Sequence, residues 1–179
     1  MHPAMREYEL TITENLNGIA PQEWNALAGE NPTLQWAFLQ SMIEAGCTTP
    51  ETGWRPLFLT LWREGAGHRK LTGALPLYLK GHSYGEYVFD WAWAEAYHRH
   101  GLDYYPKLLS AVPFTPCTGA RLMGMTEADR GILLNGALSL ARDEDVSSLH
   151  VLFADQTENT KWTSAGLMAR HSIQFHWQN

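Results

Sequence analysis

Two apolar runs, WRPLFLTLWRE from Trp54 and LTGALPLYLKG from Leu71, stand on either side of the polar, glycine-bearing stretch Gly65 to Lys70. Runs of this length closed by a turn-forming stretch predict two antiparallel strands joined by a longer hairpin loop. Segments on either side extend the pattern. Tyr8 to Glu14, YELTITE, alternates weakly and is rich in β-branched side chains, so it reads as a first strand. Pro21 opens a helix that Gly29 closes, and a second helix runs from Thr33 to Gly46 with Leu34, Phe38, Met42 and Ala45 on one apolar face.

Beyond the hairpin, Tyr87 to His100 reads as a short helix ended by Gly101, with YVF at its head equally able to extend a strand. Lys107 to Phe114 is a central strand interrupted late by Pro113, and TPCTGARLMG is irregular. Thr126, with Asp129 three residues on, is the N-cap of a helix over EADRGILLNGALSLARDED. Ser147 to Phe153 is a strand, Glu158 to Gly166 a short helix, and Met168 to Trp177 a last strand with His171, Ile173, Phe175 and Trp177 on one face. This order predicts an α/β fold in which a mixed, mostly antiparallel sheet is flanked by helices, the order of the GNAT (acyl-CoA N-acyltransferase) fold. In that architecture a central strand and the next helix splay into a cleft, and amides at the helix start receive a pyrophosphate.

A chain of 179 residues forms one domain with one core, so residues 1–179 are read as a single GNAT-like domain. The first residues lack the charged flank and apolar run of a signal peptide, and no apolar run approaches the ~18 residues of a membrane span. Cys47 and Cys117 have no C-x-x-C spacing; reduced thiols and a cytoplasmic location are expected. The formal charge of -6, with no Lys/Arg cluster, gives no footprint for stable DNA binding. The eight tryptophans, several beside polar residues, suggest amphipathic rings at a cleft or interface as well as in the core.

The densest chemistry lies in KGHSYGEYVFDWAWAEAYHRHGLDYYPKLLSAVPFTP, from Lys80 to Pro116. Histidines, carboxylates, lysines and tyrosines crowd a region where a core strand would be apolar. Buried unsatisfied, they are costly, so they either satisfy one another or face a polar cavity. Zinc is not supported, because His98 and His100 sit two apart and no H-E-x-x-H or cysteine pair accompanies them.

The fragments TGWRPLFL, GALPLYLKGHSYGEYVFDWAWAEAYHRHGLDYYPKL, AVPFTPCTGARL, SSLHVLFA and HSIQFHWQN closely resemble the FemAB-like proteins of bacteria, often described as peptidoglycan biosynthesis or recognition proteins and as GNAT-family N-acetyltransferases. The resemblance implies a family about twice this length, matched in its N-terminal half only, with a second GNAT-like half beginning near where this chain ends. It also implies acyl or aminoacyl transfer to the amine of a small molecule or peptide. Relatives with established activity take an amino acid from aminoacyl-tRNA; acetyl-CoA or another acyl-CoA is the alternative donor. The stretch TPCTGARLMGM lacks the Q/R-x-x-G-x-G/A loop that cradles acetyl-CoA.

Transfer to an amine needs a proton acceptor and donors to an oxyanion. Glu86 and Asp90 are the first candidates for the basic role and His82 the next; a helix or a strand would place both carboxylates on one face, where repulsion raises one pKa. Tyr84, Tyr87 and Tyr105 are candidate donors to a substrate carbonyl or phosphate, and Lys80 and Lys107 candidate contacts for an anionic substrate. His171 and His176 differ by an odd number, so only one enters a given cleft; His176 is taken as a substrate contact. Gly119 and Arg121 are the candidate phosphate contacts of a cofactor. The competing expectation is a noncatalytic module that recognises a cell-wall precursor, or docks as a homodimer or onto a second GNAT-like half.

Overall fold

The computed structural model describes residues 8–65, 67–171, 173, 175 and 177. Strand β1 (Glu9–Thr13) leads to helix α1 (Pro21–Ala28), a 3₁₀ turn (Pro32–Leu34) and helix α2 (Trp36–Glu44). The single predicted helix from Thr33 is therefore a capped 3₁₀ turn followed by a helix. Asn31 accepts from the Thr33 amide, and Gln35, extended, separates the two. Its inward residues are Leu39 and Gln40, whereas Ala45, placed by sequence on the apolar face, is exposed.

The hairpin forms, with a tighter turn than predicted and a register shift between Leu61 and Trp62. Strands β2 (Trp54–Pro56) and β3 (Phe58–Gly65) run against β4 (His68–Leu75) and β5 (Tyr78–Lys80). Pairing reaches Gly65↔His68, so the loop is two residues rather than six. Each arm is divided at a proline, because Pro56 and Pro76 have no N–H for the ladder. One bond, Leu57 N–H to Leu77 O at 2.8 Å, joins the pieces in register between Pro56↔Tyr78 and Leu59↔Leu75.

The strands beside this hairpin differ at its two ends. One sheet has the order β1-β3-β4-β7, where β7 is Met123–Gly124; the other has the order β2-β5-β6-β8, where β6 is Lys107–Ser110 and β8 is Leu149–Val151. Every pairing is antiparallel except β6 with β8. Helices flank these sheets, an arrangement consistent with the GNAT-like α/β fold. Alternate strand residues point to opposite cores: Phe58, Tyr78 and Leu109 pack with Trp24, Leu34 and Leu39 of the first helices. Leu59, Leu75 and Leu108 pack instead with Leu133 and Leu140 of helix α4 (Glu127–Asp143) and Trp162 of helix α5 (Gln156–Ser164). Burial on both faces explains why these strands read as continuous apolar runs.

Helix α4 begins at the predicted cap, with the Thr126 hydroxyl accepting from the Asp129 amide and the Asp129 carboxylate accepting from Thr126. Three expectations need correction. Residues 87–90 are neither helix nor strand, and helix α3 (Trp91–Arg99) starts only after Asp90. The strand predicted over Lys107 to Phe114 ends at Ser110. Among the described residues from Met168 to Trp177 there is no strand, and Ile173, Phe175 and Trp177 are exposed rather than aligned on a packed face. No described helix is long and apolar enough to cross a membrane.

Candidate functional site

The site follows from one register pair. Lys80 closes β5 and Lys107 opens β6, and the antiparallel pairing sets them directly opposite each other. Both are fully buried. Like charges facing across a ladder repel, and a buried cation without a partner is costly, so this row requires carboxylates. The loop over 81–90 folds back to supply them.

Glu86 lies between the lysines, with Oε2 at 2.8 Å from Lys107 Nζ and Oε1 at 4.0 Å from Lys80 Nζ. Asp90 Oδ2 sits 2.5 Å from Lys107 Nζ. Lys107 also donates to Ser83 Oγ at 3.3 Å. Asp90 accepts in addition from Ser83, from the Tyr104 hydroxyl at 2.8 Å and from the Tyr105 hydroxyl at 3.2 Å. Lys80 donates to the Tyr84 carbonyl at 3.2 Å and stands 3.6 Å from the ring centroid of Trp54, its register partner in β2.

The two carboxylates are thereby driven apart. Burial pushes Asp90 up, but hydrogen bonds from Lys107, Ser83 and Tyr104 outweigh it and bring its pKa down to about 2. Burial raises Glu86 above the ordinary carboxylate range, against the pull of both lysines. Among the described residues its buried Oε1 has no hydrogen-bond partner. Burial lowers Lys80 to about 7, helped by the Lys107 charge and opposed by Glu86. The sequence expectation has Glu86 and Asp90 on one face with repulsion raising one pKa; in the structure they converge through an irregular loop, and burial exceeds mutual repulsion as the cause of the raised Glu86 carboxyl.

Sequence reasoning missed Ser83, Tyr104, Ser148 and His150. Tyr104 is buried, its hydroxyl 3.4 Å from His150 Nε2, and Ser148 Oγ is 2.9 Å from the same nitrogen. The SSLHVLFA strand was visible, but its pairing with β6 beside Lys107 was not.

Residues 15–179 match the FemAB-like family model, described as peptidoglycan biosynthesis/recognition. The chain belongs to the FemAB-like family. This match spans nearly the whole chain and overturns the expectation of a likeness confined to the N-terminal half. No curated protein and no solved structure matches it.

Other candidates in this FemAB-like chain are placed apart from the buried cluster or at its rim. Tyr84 and Tyr87 are exposed, Tyr87 with φ of 59° in the left-handed region. The His82 ring lies over Gly53, where an added Cβ would meet Nε2 at 2.4 Å. Its pKa is lowered by burial and then by Lys80. Arg121 is fully buried and donates to the carbonyls of Cys117 at 2.8 Å and Leu152 at 3.2 Å, so its guanidinium ties the stretch between β6 and β7 to the end of β8. A Cβ at Gly119 would meet Asn31 Nδ2 at 2.6 Å; its close approach is to that side chain. The amides of Arg121 and Leu122 both donate to the Glu158 carboxylate, and the start of α4 is filled by Asp129, itself paired with Arg63 at 3.0 Å. His176 lies outside the described residues. Among the described residues no group of three or more His, Cys, Asp or Glu is arranged to hold a metal ion.

Proposed function

We propose that this single domain, acting in the cytoplasm, transfers an acyl or aminoacyl group from an acyl-CoA or aminoacyl-tRNA to the amine of a small molecule or peptide. The observation that carries this reading is the divided carboxylate pair on Lys107. Asp90, saturated with donors, stays ionised and holds Lys107, Tyr104 and Tyr105 in place. Burial raises the Glu86 carboxyl above its ordinary range and lowers the Lys80 ammonium to about 7, so Lys80 is the member that changes protonation near physiological pH. Pairs of titratable groups separated in this way serve acid and base roles at one pH. Tyr84 and Tyr87, at the exposed rim, are assigned to substrate contact, while Lys80 and Lys107, both fully buried, serve the carboxylates instead of meeting an anionic substrate.

The test incubates the chain with acetyl-CoA or an aminoacyl-tRNA mimic and amine-bearing muropeptides, and reads product by mass spectrometry. Glu86→Gln should lower turnover by about 100-fold while donor-induced thermal stabilisation persists. No product and no stabilisation with either donor class would remove the transferase reading.

A recognition or docking module is the second reading, favoured by one observation. Tyr84, Tyr87, Phe89, Trp91 and Trp93 are exposed in succession, and α3 buries none of its residues. Contiguous exposed rings mark interaction surfaces, here for a sugar-peptide, a second copy or another GNAT-like half. Muropeptide binding that survives Glu86→Gln in a chain without turnover would favour it.

A further inference from the structure

The transferase reading needs a group that meets the incoming amine, and Glu86 and Asp90, each 3% exposed, are covered by their own loop. Ser148 and His150 are half-buried at the edge of the same network. Two residues apart where β8 begins, they share a face, with Ser148 Oγ 2.9 Å from His150 Nε2. Tyr104 gives its proton to Asp90 Oδ2 at 2.8 Å, so of the two hydroxyls near Nε2 only that of Ser148 has a proton to offer it. The Asp90–Lys107 pair therefore fixes Tyr104, and the Tyr104 ring, edge-on at 6.3 Å, walls the imidazole.

We propose that Ser148 and His150 form the proton-accepting port of the site, Ser148 donating to Nε2 of a neutral imidazole whose other nitrogen carries the ring proton. This inference rests on the transferase reading above. As the amine nitrogen bonds to the acyl carbon, its proton passes to Ser148 Oγ while the Ser148 proton moves to His150 Nε2. The tetrahedral intermediate then collapses, the bond to the donor's thiol sulfur or ribose oxygen breaks, and the imidazolium returns its proton through Ser148 to that leaving atom. The groups acting on the imidazole favour the neutral state: burial first, then Lys107 from β6 and Arg170 from the segment after α5, with Asp90 opposing and Tyr104 uncharged.

Two measurements on the whole chain test the port. Long-range ¹⁵N–¹H correlation spectra from about pH 5 to 8 should show His150 as the neutral tautomer with the proton on Nδ1, and Ser148→Ala should perturb the Nε2 shift. A proton on Nε2, or an imidazolium at pH 7, overturns the proposal whether or not any donor turns over. In the transfer assay, His150→Gln should cost about 100-fold in kcat with KM little changed, His150→Ala should be partly restored by added imidazole, and the exposed His68→Gln should have no effect. Turnover unaffected by His150→Gln would sink the port and leave the transferase reading standing. An acyl adduct on Ser148 would replace the port with covalent catalysis. Absence of turnover in the parent chain would end the transferase reading, while the tautomer still decides the geometry.

Discussion

At the scale of single residues, Lys107 holds the site together because its ammonium reaches two carboxylates that no other cation approaches as closely among the described residues. Lys107→Met should destabilise the fold by about 3–5 kcal/mol, the usual cost of leaving buried charge unpaired, measured by urea denaturation. Lys80 gives a pH signature. Its folded pKa of about 7 lies below its unfolded value of 10.5, so the unfolded chain binds the extra proton between them and stability rises with pH across that window. Lys80→Met should flatten the slope between about pH 7 and 9, measured by denaturation at several pH values; an unchanged slope would assign it to other groups. Glu86 acts in the opposite sense, stability falling as pH rises from its ordinary 4.5 through its raised folded value. Residue types signalled this chemistry in advance, since Glu86, Asp90, Lys80 and Lys107 are costly to bury singly. The partition between them was not legible, because it depends on donors such as Ser83 and Tyr104 that only the loop's course brings to Asp90.

At the scale of elements, local rules succeeded where a segment satisfies itself. Helix α4 carries its own capping box, and Thr126→Ala should cost about 1 kcal/mol, read from the shift in urea midpoint. The loop over 81–90 depends instead on close packing. Gly85, at φ +80°, leaves no room for a side chain, since a Cβ would lie 2.5 Å from Phe114 Cδ1. Gly85→Ala should therefore destabilise by more than the about 1 kcal/mol of backbone strain alone and disturb the ring contact of Phe114 with Trp54. Loss of near-ultraviolet circular dichroism from Trp54 would report it. Among its described residues the predicted terminal strand is not formed, for the complementary reason: alternation specifies a strand only when another strand or a core receives one face, and Ile173, Phe175 and Trp177 are exposed.

At the scale of the whole molecule, the buried charge network lies beneath a surface of exposed rings. Trp91→Ser with Trp93→Ser should change stability by no more than about 0.5 kcal/mol per site, because neither side chain is buried, while weakening muropeptide binding or self-association. Native mass spectrometry and calorimetric titration separate those two effects; an unfolded double variant would show that the rings serve the core. The start of α1, the cap of α4, the existence of the hairpin and the mixed α/β order were written in local patterns of proline, glycine and apolar spacing, since each is set by neighbours a few residues away, whereas the starts of α2 and α3 were not. The division of one hairpin between two sheets, the meeting of Lys80 with Lys107 and the arrival of His150 beside Tyr104 belong to tertiary structure alone. They depend on register between segments far apart in the chain, and register is chosen by how both faces of the sheet are covered.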